Sequence, residues 1–123
     1  MDSLDSVRLS VRTRNQLSTL KRRTGIQNWN VLCRWAFCLS LAESTTPRPP
    51  EKGEVGVELA WHTFAGEDSE IYVALAKQRC QTEGQQLERA NLNKLVRSHI
   101  ERGVGYLLSR AHSISDLAQL KGN

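Results

Sequence analysis

No aspartate or glutamate occurs between residues 7 and 42 of this 123-residue chain, yet that stretch holds seven of its arginines and lysines. Ion pairing within the segment is therefore excluded. Its charge must be met elsewhere in the chain or by an anionic partner. Long apolar runs are also missing: no window reaches 18 uninterrupted apolar residues, which argues against a membrane-spanning helix. The opening MDSLDSVRLS carries two acids where a secretory signal has bases followed by an apolar stretch, so a cytoplasmic protein is expected.

Cysteine is scarce and odd in number, at Cys33, Cys38 and Cys80. No CxxC and no Cys/His pair stands at metal-ligand spacing, so a disulfide scaffold or zinc site is not expected, and all three are read as small buried hydrophobes. Catalytic signatures are missing as well: there is no HExxH, GxSxG, phosphate-cradling Gly-Lys loop or paired-carboxylate motif. His62, His99 and His112 each lack a partner at a recognised spacing, and His99 reads as a hydrogen-bonded core histidine. We expect no catalysis, no cofactor and no metal from these residues.

What is present fits a folded chain. An apolar fraction of 39% and a charged fraction of 24% suit one compact domain, expected over residues 1–110 with a flexible tail at 111–123. A core at this length is thin, and association with further copies would bury more apolar surface. The charge is uneven. Residues 1–42 hold seven bases and two acids, net +5, while 43–123 hold ten bases and eleven acids, net −1. A local basic surface of this kind is the footprint of a polyanion binder.

Along the chain, Val7, Leu9 and Val11 alternate with Arg8, Ser10 and Arg12, the period of a strand with one dry and one basic face. Thr13 can cap a helix through Leu17 and Leu20 that ends at Gly25, with Lys21, Arg22 and Arg23 suiting the negative end of its dipole. Asn28 or Asn30 opens a second helix. From Trp29 to Ala42 only Asn30, Arg34 and Ser40 are not apolar, and a helix apolar nearly all round must be enclosed by protein. In so small a chain, subunit contact is the simplest enclosure. The three prolines sit in the loop STTPRPPEKGE, residues 44–54. A second strand is predicted over Val55, Val57, Leu59 and Trp61, then a helix from about Glu70 to Thr82. A last long helix carries Leu92, Leu95, Val96, His99 or Ile100, and Leu107. Gly103 and Gly105 inside it predict a break or a close helix approach.

The strand, helix, glycine turn and polar-capped helix of the opening stretch resemble a ribbon-helix-helix protein, in which strands of two chains pair and enter the major groove. Under that resemblance Arg8, Ser10 and Arg12 would read bases, and the start of the second helix, around Asn28 and Asn30, would hold phosphate. A sequence-specific repressor is the corresponding function. A more specific likeness covers about residues 5–110. Arg12-Thr13-Arg14, the run LKRRTGIQNWNVLCRWAFCLSL and the later HIERGVGYL together resemble the DndE family of DNA sulfur-modification proteins.

The second likeness, which we follow, implies a mainly α protein with two short strands (α+β, ribbon-helix-helix-like in its N-terminal half). It implies a homotetramer that binds double-stranded DNA, nicked duplex preferred, and that leaves the chemistry of phosphorothioation to other DNA sulfur-modification proteins. The backbone-contacting residues would be Arg8, Arg12, Arg14, Lys21, Arg22 and Arg23. The subunit interface would use Trp29, Leu32, Trp35 and Leu39, with Arg34 facing either DNA or a neighbouring subunit.

Overall fold

The computed structural model describes residues 3–50 and 52–110; the expected tail, with His112, lies outside them. Two strands and five helices run in the order β1 (Val7–Ser10), α1 (Val11–Thr24), α2 (Trp29–Leu41), β2 (Val55–Leu59), α3 (Trp61–Ala65), α4 (Ser69–Thr82) and α5 (Arg89–Arg110), with a single helical turn at Gly66–Asp68. None of these helices is long and apolar enough to cross a membrane.

β1 pairs with β2 of the same chain, antiparallel, setting Val7 opposite Leu59, Arg8 opposite Glu58 and Leu9 opposite Val57. The strand pairing that a ribbon-helix-helix protein makes between two chains is thus made here within one. Val7 and Leu9 point into the core and Arg8 points out, as the alternation predicted. The alternation then misleads. Ser10 is buried and caps α1, its hydroxyl accepting from the Thr13 amide at 3.1 Å, so Val11 and Arg12 are already helical and the cap is not Thr13. Arg8, Ser10 and Arg12 therefore share no face. The register shifts between Leu9 and Ser10, leaving Gly56 unopposed. A Cβ on Gly56 would lie 2.6 Å from the Ser10 carbonyl oxygen, so only glycine lets β2 pass the strand-to-helix corner.

α5 is the central element. It packs most extensively on α2 and also contacts α1, α4 and β1. Leu92, Leu95, Val96, His99, Ile100, Gly103, Val104 and Leu107 are buried along it, so both of the open alternatives, His99 and Ile100, face inward. The helix does not break at its glycines. Gly103 instead marks the closest approach to α2, since a Cβ there would fall 1.8 Å from the Ala36 carbonyl oxygen.

α2 buries Leu32, Cys33, Ala36, Phe37 and Ser40 against this core. Its other side, with Val31, Trp35 and Leu39, is only half-buried, and Cys38 is exposed, correcting the reading of all three cysteines as interior. Trp61 does not extend β2. It is buried as the first residue of α3, where its indole N–H donates to Ser69 at 2.8 Å and its ring packs on Phe64. Phe64, Tyr72 and Phe37 then join α3, α4 and α2 in one aromatic cluster.

Candidate nucleic-acid interface

α1 buries Thr13, Leu17, Leu20 and Thr24, spaced four, three and four apart, and this stripe sets where the other side chains go. At about 100° per residue, Arg12 and Arg23 flank one side of the stripe, Arg14 and Lys21 flank the other, and Arg22 points directly away from it. All five are exposed and the helix contains no acid. Its outer arc carries these five cations beside the neutral Asn15 and Ser18.

The helix dipole explains only part of this. Lys21, Arg22 and Arg23 occupy the last turn, where cations are stabilising, and Arg23 also donates to the Leu108 carbonyl at 3.3 Å. Arg12 and Arg14 stand in the first turn, at the positive end, where a cation costs the helix a few tenths of a kcal/mol up to about 1 kcal/mol.

The first turn is instead held by a carboxylate from α5. Glu101 Oε2 accepts from the Ser10 amide at 3.1 Å and the Thr13 hydroxyl at 2.9 Å, and its other oxygen lies 3.7 Å from Arg97. At the opposite end, the start of α2 follows Lys21–Arg23 closely. Asn28 caps it by position only, with no side-chain hydrogen bond, and its first turn carries no acid. The three cations and this helix start are separated by only a few residues of chain.

Arg8 stands apart from α1. It pairs across the sheet with Glu58 at 3.4 Å, both side chains well exposed. The fold brings Arg8 to a cleft of about 650 Å³ that also holds Lys52, Lys94 and Arg97. Lys52 and Lys94 escaped the sequence reading because the second half of the chain is acidic on balance. Their signal is spatial: a loop and one helix face converge on β1.

Of the residues expected at a subunit interface, Leu32 is 0% exposed within the single chain and has no surface to offer another copy. Its place on α2 faces α5. Trp29, Trp35 and Leu39 are half-buried. Trp35 and Leu39 line an apolar groove of about 490 Å³ with Val31, Cys38, Tyr72 and Leu107. Arg34 edges this groove and donates to the Phe64 carbonyl at 2.8 Å, so its head group is held against α3.

One buried set has the composition of a catalytic triad. The Ser40 hydroxyl lies 2.8 Å from His99 Nδ1, and His99 Nε2 lies 2.9 Å from Glu83. Arg102 Nε donates to the Ser40 hydroxyl, Arg102 Nη2 to the Ser40 carbonyl, and Arg79 Nε to Glu83. Arg79 also donates to the Leu41 and Glu43 carbonyls, so the two arginines cap the C-terminal end of α2. Ser40 and His99 are both 0% exposed, so no substrate atom can reach the hydroxyl. Burial, with Arg79 and Arg102 nearby, holds the imidazole pKa below its usual value despite Glu83. This network joins α2, α4 and α5. Among the described residues, no three His, Cys, Asp or Glu side chains are grouped to hold a metal.

The chain is similar to DndE from Escherichia coli B7A, described as involved in DNA phosphorothioation modification. Identity is 29%, 84% of this chain and 95% of that one are covered, and the TM-score is 0.70. It is similar at 27% identity to a lysine-for-glycine double mutant of DndE, also described as involved in DNA phosphorothioation, with 84% and 96% covered and a TM-score of 0.68. A comparison with curated proteins returned no match. A family model described as DNA sulphur modification protein DndE matches residues 6–115, a few residues past the expected end of the domain. The chain belongs to the DndE family of DNA sulfur-modification proteins.

Proposed function

We propose that this protein is a non-catalytic, DNA-binding subunit of a DNA phosphorothioation system, acting as a homotetramer that holds duplex DNA, nicked duplex in preference, by its phosphates. The observation that carries the reading is the outer arc of α1: five exposed cations, no acid, and two of the cations placed against the helix dipole. Contacts of this type release condensed counterions and position a protein without reading bases. Lys52 and Lys94 add positive charge in a separate cleft, where Arg8 is paired with Glu58 and Asp5 also lines the wall. The half-apolar outer side of α2 supplies the face on which copies meet, and assembly gathers several weak patches into one surface. Sulfur chemistry is assigned to the other proteins of the system.

Titration against intact, nicked and single-stranded DNA of unrelated sequences, at several salt concentrations, tests this. Binding should be insensitive to sequence and strongest for nicked duplex. The log–log salt slope should be about −4 to −5 for each protomer engaging five phosphates. Protection of one defined palindrome would favour a repressor instead, and no binding at physiological salt would leave only an assembly role.

A further inference from the structure

A second cleft, of about 570 Å³, lies between the first turn of α1, the proline loop and α5, and is lined by Arg12, Arg48, Glu101, Arg102 and Tyr106 among others. Three arginines from three separate parts of the chain thus line one cleft. Arg102 is held in place, donating to the Ser40 hydroxyl and carbonyl at 2.8 Å and to Thr45 at 3.0 Å. These bonds use three of its five N–H groups. Arg48 precedes Pro49, which disfavours the helical region for it and keeps its backbone extended. It is exposed, and no ion pair engages it among the described residues. Tyr106 is stacked by Arg102 and Arg110, at 5.7 and 5.0 Å from the ring centre. Among the described residues lining the cleft the one carboxylate is Glu101, whose Oε2 accepts from Ser10 and Thr13 and whose Oε1 lies 3.7 Å from Arg97.

The arc of α1 is convex and suits a continuous backbone passing over it. A concave, multiply cationic cleft suits a group at which a strand stops. A terminal phosphate monoester carries close to two negative charges near neutrality, against one for each internal diester. Resting on the DNA-binding reading above, we propose that this cleft receives the terminal phosphate of a broken DNA strand, with Arg48 as the residue that discriminates it from a hydroxyl end. A free mononucleotide presents the same phosphate chemistry, and the test separates the two.

The full chain is titrated with duplexes of one sequence carrying a single nick whose ends are 5′-phosphate, 3′-phosphate or hydroxyl only, with a mononucleotide as competitor. One of the phosphorylated nicks should bind about tenfold or more tightly than the hydroxyl nick, the scale of one charge-assisted hydrogen bond. Arg48→Ala should bring that ratio to about one, whereas Arg22→Ala, on the outer arc, should weaken both substrates and keep the ratio. A ratio of one in the natural protein, or a ratio surviving Arg48→Ala, overturns the proposal while leaving duplex binding intact. Failure to bind any duplex overturns both readings. Competition by the mononucleotide at the concentration of nicked DNA overturns the assignment to a strand end.

Discussion

Single residues separate two glycines that look alike in the sequence. Replacing glycine by alanine within a helix gains up to about 1 kcal/mol of helix stability. At Gly105 nothing lies within 4 Å of the added carbon, so Gly105→Ala should raise the melting temperature. At Gly103 the added carbon meets the Ala36 backbone oxygen at 1.8 Å, and separating α2 from α5 costs about 1–3 kcal/mol or more. The clash outweighs the propensity gain, so Gly103→Ala should lower the melting temperature. Thermal unfolding of the two variants side by side decides the matter; equal shifts of one sign would refute the packing at Gly103. The sequence reading held both outcomes open, a break or a close approach, because periodicity does not say which face of α5 meets a neighbour. Glu101 was invisible for a related reason. Its role is to satisfy Ser10 and Thr13 at the start of a helix some ninety residues earlier, and nothing local marks that.

At the scale of elements, α1 keeps its helix despite its charges, and this gives stability and binding opposite signs. Arg14→Glu places an acid in the first turn and should stabilise the fold by a few tenths of a kcal/mol up to about 1 kcal/mol. The same change should weaken DNA binding on every sequence alike and flatten the salt slope by about one unit or more. A variant that loses both stability and binding, measured by urea unfolding and DNA titration, would show Arg14 to be structural. The strand–helix corner explains why part of this was misread: the alternation through Val11 and Arg12 is fortuitous, since a capping Ser10 ends the strand earlier. The junction of α2, α4 and α5 makes a second element-scale prediction. Burial holds the folded pKa of His99 below the ordinary value of 6.5. Between those two pKa values the unfolded chain binds the extra proton and the folded chain does not, so stability rises with pH there. This contribution is fully present above about pH 6.5 and should fall away as pH drops below it. Urea midpoints should decline over that window, and His99→Gln, though less stable at neutral pH, should decline less steeply. Parallel pH curves would remove His99 as the cause.

For the whole molecule, the question is why the most apolar helix adjoins the most basic one. α2 resolves it in two halves. Its inner side, Leu32 and Phe37 foremost, packs the chain's own core, although the sequence reading placed Leu32 at a subunit interface. Its outer side leaves Val31, Trp35 and Leu39 half-covered around a groove, the face the proposed assembly would use. The core positions were legible because helical spacing records burial, but burial by the chain and burial by a partner leave the same apolar signature. On the proposed function, a single α1 arc would offer few phosphate contacts, whereas copies joined through α2 would present several arcs to one duplex. Linked patches of this kind can exceed single-patch affinity by about 10²–10⁴-fold. Leu39→Asp lies outside the monomer core, so the chain should still fold while its mass in solution falls toward that of a single copy. Affinity for duplex should then drop by at least about tenfold although every cation is retained. Light scattering and DNA titration on the same sample test both halves of the argument. A single-copy mass with undiminished affinity would mean that one arc suffices, and an unchanged assembly would place the subunit interface on another face.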